Sequence, residues 1–332
     1  MRESNYIPGF DWVRIFGPIL VAAGHVGAFK MLKSQHWTVY DMINVVVPVF
    51  FYIAGYLCAR NRQNMKNRIK KQVVKYAAIY LSFEFALVLH DHIGYYHSTG
   101  YFDTARFMLD FLKCFITRYK DSLQLWFIPA LLYPMMLNAF LNEKSRKLVI
   151  GALLLVYLVT KNAVDPDMEA VFEQLTAMCP LVAKVFSAAE LNRIWFHMLE
   201  GFLFTTIGFD LSTWKIRPVY LLLMTFTLVL LEQTVKYIGI SRIFLSVLLF
   251  DGVRRLPGQL LRAYHPAISF FSATLFFMHI SEIKFLRRHL KTSNLNYLLL
   301  VIGCHILATA VFCYFHRRRP KQEKIGMKEN GF

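Results

Sequence analysis

FDWVRIFGPILVAAGHVGAF (residues 10–29) is apolar over a length that crosses a bilayer, yet it carries Asp11 and Arg14 near its start and His25 near its end. A spanning helix needs about 20 apolar residues. An ionised side chain at the centre of such a helix costs at least about 2.5–3.5 kcal/mol, so polar groups there face the bundle interior or a wet cavity, or snorkel to the edge. Asp11 and Arg14 are three apart and are neighbours on a helical surface. Arg14 and His25 are separated by about three turns plus 20°, so they share a face at levels about 16 Å apart. Two readings stay open on these residues alone. Asp11 and Arg14 snorkel at one edge while His25 bonds a neighbouring carbonyl, or the three form one functional line.

The same pattern of long apolar runs recurs through the chain. Of its 332 residues 56% are hydrophobic and the mean hydropathy is +0.40, whereas soluble domains are usually about 45–50% apolar. Candidate spans fall near 10–32, 39–58, 73–90, 123–142, 147–163, 194–212, 216–233, 238–251, 266–285 and 295–315, the eighth being short and interrupted by Arg242. The expected fold is an all-α polytopic membrane bundle of about ten transmembrane helices, with both termini cytoplasmic. Residues 1–318 form the membrane domain and 319–332 a basic cytoplasmic tail. Asp11 and Arg14 break what would be the apolar start of a cleaved leader, so the first run is expected to be retained. No period of 20–50 residues marks a solenoid.

The net charge is +17, from 38 Lys and Arg against 21 Asp and Glu. With a cytoplasmic amino terminus and alternating helices, 21 of the 38 cations fall on the shorter inner segments and 13 on the longer outer ones. That is the positive-inside bias, and it assigns the charge to membrane lipid rather than nucleic acid. One loop dissents: RRHLK (287–291) falls outside. The tail HRRRPKQEK (316–324) reads as an anchor on anionic lipid. Residues 104–119, TARFMLDFLKCFITRY, have apolar positions near helical spacing and read as an interfacial amphipathic helix. The acidic segment 164–193 has the length of a lid or a connection. The five cysteines show no zinc spacing, though Cys114 and Cys179 both fall outside, where a disulfide forms most readily. His90, His92 and His97 lack a ligand constellation, and no metal site is expected.

Several further features stand in order along the chain. VPVFFYIAGYLCARN (47–61) sets aromatics beside Gly55 and leads into the basic loop RNRQNMKNRIKK (60–71). LQLWFIPALLYP (123–134) opens a helix with Trp126 and Phe127, and LFFMHISEI (275–283) places His279 in the ninth span. In this order they resemble the acyltransferase 3 family of integral membrane acyltransferases over nearly the whole chain. Asp11-x-x-Arg14 with His25 is similar to the family's first-helix signature. Phe50-Phe51-x-x-x-Gly55 resembles its FFxxSG motif, with Ala54 in place of serine. Arg68-x-x-Lys71 resembles its RxxR element, with lysine second, which keeps the charge but loses the bidentate fork. Trp126-Phe127 and Met278-His279 resemble later landmarks.

The resemblance implies transfer of an acyl group, typically acetyl, from cytoplasmic acyl-coenzyme A to a hydroxyl of a surface polysaccharide or lipid-linked sugar, by a multi-pass protein of the cell membrane. Acetyl-CoA is then a co-substrate. Its phosphates need cations on the cytoplasmic side, where Arg60, Arg62, Arg68 and Lys71 stand. The acceptor hydroxyl needs a base, and neutral His25 has the pKa range for it; a covalent acyl-histidine is the other route. Arg14, oriented by Asp11, would hold the phosphate or pantetheine part of a donor arm threading a tunnel toward His25. Trp126, Phe127, His279 and Glu84 are candidate substrate-binding residues. His197 with Glu200 and His279 with Glu282 also have spacings that share a helix face. The competing classes are a polytopic transporter or flippase without acyl-transfer chemistry, for which no inverted repeat is visible, and a receptor or scaffold.

Overall fold

The structure is a computed structural model. It describes residues 6–27, 45–60, 64–115, 123–162, 172–174, 177–179, 187–214, 218–235, 240–257 and 259–318. Arg62, most of the acidic segment 164–193, the loop between the first two runs and the 319–332 tail lie outside the described residues.

Among the described residues all regular structure is helical. The described helices of ten residues or more are α1 (Gly9–Val26), α2 (Val46–Ala59), α3 (Met65–Thr99), α4 (Thr104–Lys113), α5 (Phe127–Asn138, entered through a 3-10 turn at Leu123–Trp126), α6 (Glu143–Asn162), α7 (Ala188–Asp210), α8 (Pro218–Val235), α9 (Ile240–Arg255), α10 (His265–His289) and α11 (Asn294–Arg318). Three stretches, Met65–Thr99, His265–His289 and Asn294–Phe315, are long and apolar enough to cross a membrane. Val46–Ala59, Phe127–Asn138 and Val219–Leu228 are shorter apolar helices.

Local chemistry explains several ends. α1 stops at Gly27, whose φ of 82° lets its N–H turn back to the carbonyls of Ala23 and Gly24. α7 opens on a capping box in which Ser187 and Glu190 satisfy each other's backbone donors. α4 is capped by Asp103, which accepts from the Arg106 N–H. Phe107 and Phe111 pack on Phe85 of α3, while Met108 and Leu112 are exposed. α3 corrects the sequence expectation of 73–90: it starts near the basic loop and runs to Gly100, at φ 71°. Lysine, arginine and glutamine propagate a helix about as well as leucine, so apolar length underestimates it.

Helix directions follow from their contacts. α1 and α10 run parallel, with Asp11 beside His265 at one end and the Val26 carbonyl beside Arg287 at the other. α2 is antiparallel to α1, since Phe10 meets Tyr56 and Gly17 lies against Phe50. α9 brings its carboxyl end to Gly9 and Phe10, and α11 pairs antiparallel with α10 through Phe312 on Phe270. One end of the bundle therefore gathers Asp11 and Arg14 with the carboxyl end of α2, the amino end of α3 and the carboxyl end of α9. The cations Arg60, Arg68, Lys71, Arg254 and Arg255 stand at this basic end.

α2 crosses α7 with the two backbones in close contact. A Cβ on Gly55 would lie 2.5 Å from the Thr205 carbonyl oxygen and 2.8 Å from the Phe209 nitrogen, and one on Gly208 would lie 2.7 Å from the Tyr52 oxygen. The glycine of the FFxxSG-like motif is thus a backbone-contact residue, and small residues at such crossings let helices pack in apolar surroundings. Tyr52, Phe51 and Phe204 fill the space around it, all fully buried.

Arg242, which interrupts the eighth run, is answered by Glu200 of α7. Their side chains meet at 2.7 Å, mostly buried, and Arg242 lies over the Phe204 ring. All five cysteines, Cys114 and Cys179 included, are free thiols.

Two stability outcomes follow. Gly55→Val should lower the thermal unfolding midpoint in detergent, with an overpacking cost of about 1–3 kcal/mol, while Gly151→Ala, mid-helix with nothing within 4 Å of its Cβ, should not lower it. Arg242→Met alone should destabilise by about 3–5 kcal/mol because it strands the buried Glu200 carboxylate, and the Glu200→Gln/Arg242→Met pair should recover most of that loss. Equal midpoints for the single and double variants would show that the ion pair is idle.

Candidate functional site

The basic end is organised by one carboxylate. Asp11 is fully buried. Its Oδ2 accepts from the Tyr6 hydroxyl at 2.8 Å, and its Oδ1 accepts from Arg14 Nη1 at 2.6 Å. His265, the first residue of α10, donates Nδ1–H to both oxygens, at 2.9 and 3.0 Å. Tyr6 and His265 also meet edge to face at 5.1 Å. Desolvation and the bond to Asp11 push the Tyr6 hydroxyl up to about 12. Arg14 keeps a quarter of its side-chain surface accessible.

His265 was not singled out in the sequence. It stands 254 positions from Asp11, and no spacing rule links them. The signal was topological: alternation puts the start of the ninth span at the same end as the start of the first.

His25 lies at the opposite end of α1, with its ring 5.2 Å from that of His279 on α10. Asp11 to His25 and His265 to His279 are both fourteen-residue intervals, about 21 Å each. Parallel helices pinned at Asp11–His265 therefore bring these two imidazoles level. His25 is exposed and His279 fully buried. His279 Nδ1 lies 2.8 Å from the Leu275 carbonyl, which can only accept, so this nitrogen carries the hydrogen. Its Nε2 is buried, without a hydrogen-bond partner among the described residues. In the neutral ring it is an acceptor.

An aromatic wall adjoins the pair. Phe276 touches His279 and packs on Phe50 and Phe127, and Phe127 lies 4.4 Å from Phe51. Trp126 stacks at 4.0 Å on His197. The structure thus gathers His25, His279, Phe127 and Trp126 into one region, with Phe127 as a core residue of it. Glu84 belongs elsewhere: it is buried on α3 beside the Cys114 thiol, which points at it from 3.8 Å.

The remaining candidates separate. Arg68 Nη1 donates to the Leu57 carbonyl at 3.0 Å and so caps α2, while Arg60 and Lys71 are exposed at the same end. Two face-sharing pairs are replaced by contacts between helices: Glu200 pairs with Arg242 rather than His197, and Glu282 with His305 rather than His279. His92 pairs with Asp110 of α4 at 3.3 Å. Between Arg14 and His25 the same face carries Pro18, which is buried, and Val21, which is partly buried against the core.

Neither a scan against protein-family models nor searches of curated proteins and of solved structures find a match for this chain.

Removing the Asp11 carboxylate should be the most damaging single change at the basic end. Asp11→Ala leaves Arg14 and His265 unpaired, and about 3–5 kcal/mol of unfolding free energy should be lost. Arg14→Ala, at a partly accessible position, should lose less. Chemical denaturation in detergent measures both, and equal losses would contradict this ranking.

Proposed function

We propose that this chain is a multi-pass membrane acyltransferase of the acyltransferase 3 type, with about ten spans and with its basic end and both termini in the cytoplasm. It moves an acyl group, acetyl by the family resemblance, from cytoplasmic acyl-coenzyme A to a hydroxyl of a carbohydrate or lipid-linked sugar. The observation that carries this reading is the pair of stations on α1: a guanidinium held by a buried carboxylate at the cation-rich end, and an imidazole beside a second, half-satisfied imidazole at the far end.

The chemistry divides between them. Arg14, with Arg60 and Lys71 near it in the fold's basic end, supplies cations for the donor's phosphates. His25, neutral, takes the acceptor's proton as its oxygen attacks the thioester carbonyl; the thiolate of coenzyme A leaves and is protonated. His279 presents a lone pair on Nε2 that orients His25 or the acceptor hydroxyl. Phe127 and Phe276 exclude water from the acyl group. The pantetheine arm reaches His25 along α1, which requires displacement at Val21 and Pro18. Proline in a helix interior removes one backbone hydrogen bond, so α1 is weakest at this level.

Purified protein given acetyl-coenzyme A and a hydroxyl acceptor should release free thiol and form acetylated acceptor. A general base typically contributes 10²–10⁴-fold, so His25→Ala should lower kcat by that order with KM for the donor little changed. Arg14→Ala should instead raise the donor KM. Acceptor acetylation at the unaltered rate by folded His25→Ala would refute the assignment, and absence of thiol release with every acceptor would favour a transporter or scaffold.

A further inference from the structure

The RRHLK loop, residues 287–291, is the basic cluster at the end of the bundle opposite Asp11, against the direction of the charge bias. Only part of it is used internally. Arg287 Nη2 donates to the Val26 carbonyl at 3.0 Å and the guanidinium lies over the Tyr297 ring. Arg288 and Lys291 are exposed.

Lys291 stands on the rim of a cavity of about 700 Å³. Thr292 and Asn296 share that rim, joined by a 2.6 Å hydrogen bond from Asn296 Nδ2 to the Thr292 hydroxyl. The rest of the wall is apolar, with Leu299, Leu300 and Leu307 of α11. At Cys304 this cavity adjoins a second one of about 330 Å³, walled by Phe285, Leu286 and Val301 between α10 and α11. The groove opens on the outer face of the most apolar span, Asn294–Phe315, whose mean hydropathy is 2.3 and of which only 11% is buried. In the membrane reading that face meets acyl chains.

Glu282 borders the smaller chamber, but it brings no net charge there. His305 Nε2 lies 2.9 Å from its carboxyl, and His305 Nδ1 lies 3.1 Å from the Thr274 hydroxyl. That hydroxyl donates to the Phe270 carbonyl at 3.0 Å, so it accepts from Nδ1–H. A single proton is then shared between Nε2 and the carboxyl, and the pair is neutral whichever atom holds it.

We propose that this groove is a binding site for an anionic phospholipid. The lipid phosphate sits on Lys291, with Arg288 three residues earlier adding positive charge at the same end of the bundle, and its glycerol oxygens meet Thr292 and Asn296. One acyl chain lies along Leu299–Leu307, and the other passes Cys304 into the smaller chamber. Charge complementarity selects the headgroup, and hydrocarbon depth selects chains over a soluble partner. This also accounts for a basic loop on the side that the charge bias leaves poor in cations. The site depends on α10 and α11 lying in a membrane and not on acyl transfer.

The test is native mass spectrometry of the full chain in detergent, titrated with phosphatidylglycerol and with phosphatidylcholine of the same acyl chains, and separately with inorganic phosphate. The expected preference for phosphatidylglycerol is about thirtyfold, from two cations near one phosphate. It should fall to near one in Arg288→Gln/Lys291→Gln. Gly303 lines the larger chamber, and a Cβ there meets nothing within 4 Å. Gly303→Phe should therefore fill the groove and lower retention of both lipids while both cations remain. Inorganic phosphate at matched concentration should not displace the lipid. The proposal is overturned by equal retention of the two lipids, by an unchanged preference in the double variant, by undiminished retention in folded Gly303→Phe, or by displacement with phosphate alone.

Discussion

A carboxylate with no exposed surface is the constraint on which the rest of this structure depends. Asp11 has lost its water, and in a low-dielectric interior that loss is tolerated only when donors surround the charge. Tyr6, Arg14 and His265 supply them. Two of the three lie in the sequence near Asp11, but His265 begins a helix at the far end of the chain. Satisfying Asp11 therefore fixes α10 alongside α1, in one direction and one register. The equal intervals to His25 and His279 then bring two imidazoles together some 21 Å away. The far site is a geometric consequence of the near one.

The second constraint is the α2–α7 crossing. Gly55 and Gly208 let two backbones touch where any Cβ would collide. This holds the aromatic residues of α2, Phe50 and Phe51, against Phe127 and Phe276, and so builds the wall beside His279. The bundle's buried charges follow the same logic as Asp11. Glu200 has Arg242, and Glu282 has His305 with Thr274 behind it.

The helical class, the positions of most runs and the polar stripe on α1 were legible from the sequence, because apolar length and i, i+3 spacing act within one segment. What was not legible lies between segments. His265 stands just before the ninth run and His305 in the tenth, with nothing nearby to mark them, and their partners are fixed only when helices pack. Spacing proposed His279 with Glu282 and His197 with Glu200. In the structure both carboxylates meet partners on neighbouring helices instead, Glu200 with Arg242 and Glu282 with His305. Phe127 is buried among Phe50, Phe51 and Phe276, and composition alone does not separate an aromatic that flanks a wall from one that fills a core. The tunnel was inferred from a shared face alone, and the residues between the two stations, Pro18 and Val21, are packed.

The central claim is that α1 offers a cationic station to one aqueous compartment and an imidazole station to the other. Its most direct measurement is side-specific labelling in sealed vesicles of a cysteine-free chain carrying either Arg14→Cys or His25→Cys, with a membrane-impermeant thiol reagent. The account gives reaction of the residue 14 thiol only from the side bearing Arg60 and Lys71, with protection by acetyl-coenzyme A, and reaction of the residue 25 thiol only from the opposite side. Labelling of both from one side, or of neither from any side, would contradict it.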